Sequence, residues 1–132
     1  MEGVVIDTNV FVAALFNSRS ASARILEGVR KGRFRLIWNH PTRSETEMIL
    51  GRIPRLGWQK VADLFRPEEE FTGPVDPNAF TEVPDPDDRK FAALATAANV
   101  PLVTSDKLVL AQRGKIGIEI VTPRDFLARL RG

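Results

Sequence analysis

Apolar and polar positions along the chain follow two rhythms. Residues 4–6, Val4-Val5-Ile6, form an unbroken apolar run that ends in Asp7. That is the pattern of a strand covered on both faces. Thr8 or Asn9 then caps a helix that runs on through Val10 to Leu15. Ala21, Ile25, Leu26 and Val29 recur at helical spacing, which predicts an amphipathic helix opened by Ser20 and closed near Gly32. Residues 34–38 read as a second strand. Asn39-His40-Pro41 opens a helix over residues 42–53, with Pro41 placed where a missing N–H costs nothing. Its apolar stripe is Met48, Ile49, Leu50 and Ile53, continued by Leu56. Pro54 and Gly57 end it. Residues 58–65 predict one more short helix with Val61, Leu64 and Phe65 inward. Residues 67–82, with Gly73, Pro74 and Pro77, predict loops around a short strand near Phe71.

The second half repeats the alternation. Asp85 is a good N-cap and Pro86 a good first helical residue. Phe91, Leu94, Ala95 and Ala98 then make a narrow stripe of largely small residues suited to close packing on a sheet. Residues 101–106 repeat the opening grammar, an apolar strand followed by hydroxyl residues and an acid, Thr104-Ser105-Asp106. A helical turn over 107–112, a strand over 116–121 and a terminal helix carrying Phe126, Leu127 and Leu130 complete the chain. Thr122-Pro123-Arg124-Asp125 reads as a capping box with Asp in place of Glu. Strands alternating with helices predict an α/β fold with a central parallel sheet. No repeat and no long linker divides residues 1–132, so one domain is expected.

Composition narrows the picture. The hydrophobic fraction of 43% suits a packed core rather than disorder. No apolar run approaches the roughly 20 residues a membrane helix needs. Met1 leads directly into the first strand, leaving no room for a signal peptide, and the chain is expected in the cytoplasm. Cysteine is absent, which excludes disulfides and Cys-ligated zinc. The net charge is only +2, but most of the 19 basic residues are arginine, whose planar fork bonds two phosphate oxygens at once.

Acids stand at comparable places in several of these elements. Asp7 and Asp106 fall at the carboxyl ends of strands, where open α/β sheets bind ligands. On the 42–53 helix Glu45 lies at the edge of the apolar stripe, while Glu47 points the opposite way and reads as a solvated charge. Asp87 and Asp88 both fall in the first turn of the next helix, where the helix dipole favours negative charge. Helical phase slightly favours Asp87 as the inward one. Asp125 is assigned to capping. Right-handed crossovers in a parallel sheet collect strand ends and helix starts on one edge. Asp7, Glu45, Asp88 (or Asp87) and Asp106 would then meet and repel. A pair about 4 Å apart costs roughly 4 kcal/mol at an effective dielectric near 20. Protonation or a cation would relieve that. His40 is the only histidine and sits beside Pro41. An all-oxygen site calls for Mg²⁺ or Mn²⁺ rather than Zn²⁺, and such ions support phosphodiester hydrolysis. Thr8, Asn9, Thr104 and Ser105 are placed to orient carboxylates or water.

These segments together resemble the PIN-domain family, of the VapC-like kind found as toxin halves of bacterial and archaeal toxin–antitoxin pairs. The matching residues are Val4-Val5-Ile6-Asp7-Thr8-Asn9-Val10, Glu45 with Met48-Ile49-Leu50-Gly51-Arg52, and Asp85-Pro86-Asp87-Asp88-Arg89-Lys90-Phe91. Val103-Thr104-Ser105-Asp106 and Ile120-Val121-Thr122-Pro123-Arg124-Asp125-Phe126-Leu127 follow in the same order. The resemblance implies a three-layer α/β/α sandwich and a Mg²⁺- or Mn²⁺-dependent endoribonuclease. It maps the catalytic, metal-binding acids onto Asp7, Glu45, Asp88 and Asp106, preferring Asp88 over Asp87. It also implies a homodimer, an RNA substrate and an antitoxin protein that blocks the site. Residues 67–82 match nothing in that pattern.

Two other readings compete. A haloacid-dehalogenase-type phosphatase also begins with an acid after its first strand, but it needs a second Asp two residues on, and Asn9 stands there. A non-catalytic module would use the same fold to bind RNA or a protein.

Overall fold

The computed structural model describes residues 2–131, with side chains through Arg129. Four short strands, β1 (Gly3–Ile6), β2 (Arg35–Leu36), β3 (Leu102–Val103) and β4 (Ile120–Val121), form one sheet in the order β2-β1-β3-β4. Every pairing is parallel, with Val4 opposite Leu36, Ile6 opposite Val103 and Val103 opposite Val121. All four β1 residues are buried, which is why that segment lacks alternation. Successive side chains leave a strand on opposite faces. Val4, Ile6, Val103 and Val121 accordingly join one apolar cluster with Val10, Phe11, Ile25, Val29, Leu50 and Phe126. Val5, Leu102 and Ile120 join the other with Phe91, Leu94 and Ala95. The result is a three-layer α/β/α sandwich. Its helices are α1 (Thr8–Phe16), α2 (Ala21–Arg30), α3 (His40–Arg52), α4 (Arg89–Ala98), α5 (Lys107–Leu110) and α6 (Pro123–Arg131). Among the described residues no helix is long and apolar enough to cross a membrane.

Local chemistry sets most helix ends. Ser20 accepts from the Ala23 N–H and opens α2. Asn39 and Thr42 form a reciprocal capping box at α3, with Pro41 in its first turn. Thr122 accepts from the Asp125 N–H at α6. Gly32, with φ +75°, follows α2 in the left-handed region that glycine adopts without strain.

The structure departs from the sequence expectations in particular places. Asp7, not Thr8 or Asn9, occupies the cap position of α1, and its side chain makes no capping bond because it is drawn towards β3. On α3 the buried residues are Thr42, Thr46 and Leu50, while Met48 is exposed. The helix is seated by a hydrogen bond between the Thr46 and Thr8 hydroxyls (2.9 Å), which hydrophobic periodicity does not register. Residues 58–65 form two 3-10 turns, Trp58–Lys60 and Ala62–Leu64, rather than a helix. Val61, Leu64 and Phe65 are nonetheless buried, because spacings of three and four serve both kinds of turn. The strands expected over 34–38 and 116–121 shrink to two residues each, the stretches that pair with β1 and β3. The strand expected near Phe71 is a single bridge from Trp38 to Glu70. Asp85 caps a 3-10 turn, Pro86–Asp88, and α4 begins only at Arg89. Leu130 lies outside the residues whose side chains are described, as do Met1 and Gly132 altogether.

Packing between α2 and the start of β2 is tight enough to forbid one methyl group. A Cβ on Gly28 would stand 2.3 Å from the Phe34 ring, and that ring is buried edge-on against Phe126 at 5.3 Å. Gly28→Ala is expected to destabilise by about 1–3 kcal/mol, overpacking outweighing the roughly 1 kcal/mol of added helix propensity. A urea titration checks this, and the loss should shrink in a Phe34→Leu background. A more stable Gly28→Ala protein would show that α2 is free to shift.

Candidate functional site

The C-terminal edge of the sheet carries the site. Ile6, Val103 and Val121 are in register, so the residues that follow them leave the sheet side by side. Asp7 follows β1 directly. It is 4% exposed, a burial that a carboxylate tolerates only with partners. Its backbone N–H donates to the Val103 carbonyl at 3.0 Å. Its Oδ2 accepts from the Thr104 hydroxyl at 2.8 Å. That hydroxyl oxygen in turn accepts from the Asp106 N–H at 3.1 Å. Thr104, wholly buried, therefore couples the two acids at the strand ends.

A cavity of about 340 Å³ opens over this edge. Six carboxylates line it, those of Asp7, Glu45, Asp85, Asp87, Asp88 and Asp106, together with Thr8, Asn9, Val12 and Ile49. Asp7, Glu45, Asp88 and Asp106 thus share one cavity although they come from four separate segments. Glu45 is half-buried and Glu47 exposed; Asp88 is half-buried and Asp87 exposed. Several carboxylate oxygens are already engaged. Glu45 Oε1 accepts from Lys90 Nζ at 2.9 Å. Asp106 Oδ1 caps α5 by accepting from the Leu108 N–H at 2.8 Å. Among the described residues no group of three or more acids or histidines is arranged to hold a metal ion. The donor chemistry itself, all carboxylate oxygen with no histidine or cysteine in the cavity, fits a hard dication.

Crowding and burial show in the acidities. Asp7 is pushed up to about 6, chiefly because burial disfavours its charge, with Asp106 and Glu45 adding repulsion. The Thr104 hydrogen bond works the other way. Asp88 rises to about 7, first from burial and then from repulsion by Asp7, Asp85, Asp106 and Glu45.

The four supporting residues divide. Thr104 bonds a carboxylate directly. Asn9 lines the cavity, and its Oδ1 accepts from the Ser105 N–H at 3.3 Å. Ser105 is exposed and contributes that backbone group. Thr8 spends its hydroxyl on Thr46, tying α1 to α3 rather than orienting an acid. Sequence reasoning missed Thr46 and Lys90. The spacing of Thr42, Thr46 and Leu50, each four residues from the next and so on one helix face, is the available signal for the first. A cation two residues after Asp88 was the signal for the second. Asp85, a good N-cap by sequence, both caps and lines the cavity.

Comparison with known proteins agrees with this architecture. No curated protein matches the sequence. The chain superposes on VapBC2 from Rickettsia felis, a structure bound to a DNA fragment from their promoter. The TM-score is 0.59 and the identity 17%, over 91% of this chain and 98% of that one. FitAB bound to an IR36 DNA fragment gives a TM-score of 0.60 at 15% identity, covering 91% and 94%. PAE2754 from Pyrobaculum aerophilum gives 0.61 at 20% identity, covering 98% and 96%. At such identities the likeness is one of fold. A family model for the PIN domain, however, matches residues 3–108, most of the sequence, and that span includes all six of the acids that line the cavity. By that match, over most of its length, the chain belongs to the PIN-domain family.

Proposed function

We propose that this protein is a Mg²⁺- or Mn²⁺-dependent endoribonuclease acting as the toxin of a toxin–antitoxin pair. The observation that carries the reading is the gathering of Asp7, Glu45, Asp88 and Asp106 around one cavity at the sheet's C-terminal edge. These four carboxylates would hold the cation. When bound, a hard dication supplies an activated water and steadies charge on the leaving oxygen. Thr104 keeps the Asp7 carboxylate turned towards β3, and Asn9 braces the 104–106 turn through the Ser105 N–H. A second concavity, of about 290 Å³, is lined by Arg19, Arg24 and Arg124. Arg124 lies three residues beyond Val121, at the same sheet edge as Asp7. Guanidinium groups there suit the phosphates of an RNA strand. A homodimer and an antitoxin partner belong to the same proposal, supported by the resemblance to toxin halves and by the VapBC2 and FitAB assemblies among similar structures. A non-catalytic module that binds RNA is the second reading, and the arginine-lined concavity, which needs no metal, favours it.

Proton linkage gives the cavity a signature that does not depend on substrate. The folded-state acidity of Asp7, about 6, lies above its ordinary 3.8. The native state therefore binds more protons than the unfolded chain between those values, and stability falls as pH rises through that window. A shift of about two units is worth on the order of 3 kcal/mol. Asp88, at about 7, extends the window upward in the same direction. Cation binding must displace these protons, so it strengthens with pH over the same range.

Labelled RNA incubated with Mn²⁺ is expected to be cut by the wild-type protein and left intact in EDTA. Asp7→Asn and Asp106→Asn should reduce cleavage to background, Thr104→Val by about 10–100-fold, and Glu47→Gln not at all. Cleavage that survives EDTA would refute the metal mechanism; no cleavage of varied RNAs would leave the binding module. In the cation-free protein, Asp7→Asn should melt several degrees above wild type at pH 8, with the gain vanishing near pH 4. Calorimetry over that range checks the sign. A melting temperature lowered at both pH values would make Asp7 a purely structural anchor.

A further inference from the structure

The ion pair between Lys90 and Glu45 joins the second residue of α4 to the middle of α3 beside the acid cavity, which Glu45 lines, with Nζ 2.9 Å from Oε1. Its side chains are 25% and 11% exposed, the least exposed acid and the least exposed base among the ion pairs of the described residues. It is also the one pair among them that engages an acid of the cavity. The neighbouring cation, Arg89, turns away and donates from Nε to the Val83 carbonyl at 2.9 Å. Lys90 thus brings a positive charge into direct contact with one of the six acids that line the cavity.

A fully exposed pair would contribute little to stability. Sheltered, and next to a cluster of carboxylates, an ammonium is attracted by more than its nominal partner. It also claims an oxygen that the proposed function assigns to a divalent cation. Lysine suits a reversible version of this contact. Its charge is compact, its stem is flexible, and it makes a single-point contact rather than a two-point clamp.

We propose that Lys90 is a positioning residue of the cavity. Its ammonium holds the Glu45 carboxylate in the cation-free protein and competes with the incoming divalent cation for it, setting how tightly that cation binds. The inference rests on the metal-dependent reading of the cavity. Its consequence is a site that stays assembled while empty, because one of its acids is always neutralised, at the cost of weaker cation binding.

Mn²⁺ titration calorimetry on the full chain at pH 7.5 tests the idea without any RNA. Lys90→Met is expected to bind Mn²⁺ about three- to tenfold more tightly, the effect of removing one nearby charge. It should melt lower than wild type when cation-free, because Glu45 loses its partner, and gain more than wild type from added Mn²⁺. Lys90→Arg should stay close to wild type. In a Glu45→Gln background, Lys90→Met should leave Mn²⁺ affinity unchanged. Equal affinities of wild type and Lys90→Met would overturn the proposal. So would an undiminished gain in the Glu45→Gln background, which would assign the effect to the general field of the ammonium. If no variant binds Mn²⁺ while circular dichroism remains native, the metal-dependent reading itself fails and takes this inference with it. Should Lys90→Met not fold, Lys90→Gln carries the same comparison.

Discussion

A buried carboxylate at the end of a buried strand is the constraint around which this molecule is arranged. Asp7 is placed by β1, whose residues are wholly enclosed by helices on both faces, and it has almost no access to water. A charge so placed would be intolerable alone. The Thr104 hydroxyl at the end of β3 meets it, and the same oxygen receives the Asp106 N–H. The register of two parallel strands is therefore also the register of two acids. Slipping that register by one residue would put Val103 where Thr104 stands and strand Asp7 without a donor.

The same arrangement sets stability against chemistry. The apolar clusters on either side of the sheet favour folding by area burial, while the acids at its edge work against it. The elevated acidities of Asp7 and Asp88 measure that opposition. Proteins commonly retain such conflicts where function requires them. Here the conflict is confined to one edge, and ion pairs elsewhere, such as Arg30 with Asp63 and Arg129 with Glu2 and Glu119, lie on the outer surface.

Much of the fold was legible because its signals are local. The unbroken run at residues 4–6, the Ser20 cap, the Asn39-His40-Pro41 opening and the Ala-rich stripe of α4 each state their own geometry. What was illegible depends on partners far away in sequence. Met48 looks like a core residue by periodicity, yet it faces out because Thr46 pairs with Thr8, 38 residues earlier. The outer strands were overestimated because alternation at 116–121 cannot reveal that only two residues find a neighbour. Within the cavity, strand ends announced Asp7 and Asp106. Helical phase separated Glu45 from Glu47, but leaned towards Asp87 where the half-buried residue is Asp88. The reason is that the helix there begins only at Arg89 and the preceding turn is 3-10, so a 100° step misplaces both acids. Lys90 escaped notice since a cation beside an acid on one helix says nothing about a carboxylate on another.

The hydroxyl pair of Thr8 and Thr46 has a mechanical meaning. Each threonine is the immediate neighbour of an acid, Asp7 in one case and Glu45 in the other. The spacing of those two carboxylates is thus pinned by a rivet that carries no net charge. Acid, alkali, added salt or an arriving dication alters the forces on the carboxylates, but none of them titrates or screens the rivet. The α1 and α3 sides of the cavity are accordingly fastened to each other by a contact that the protonation of their acids leaves in place.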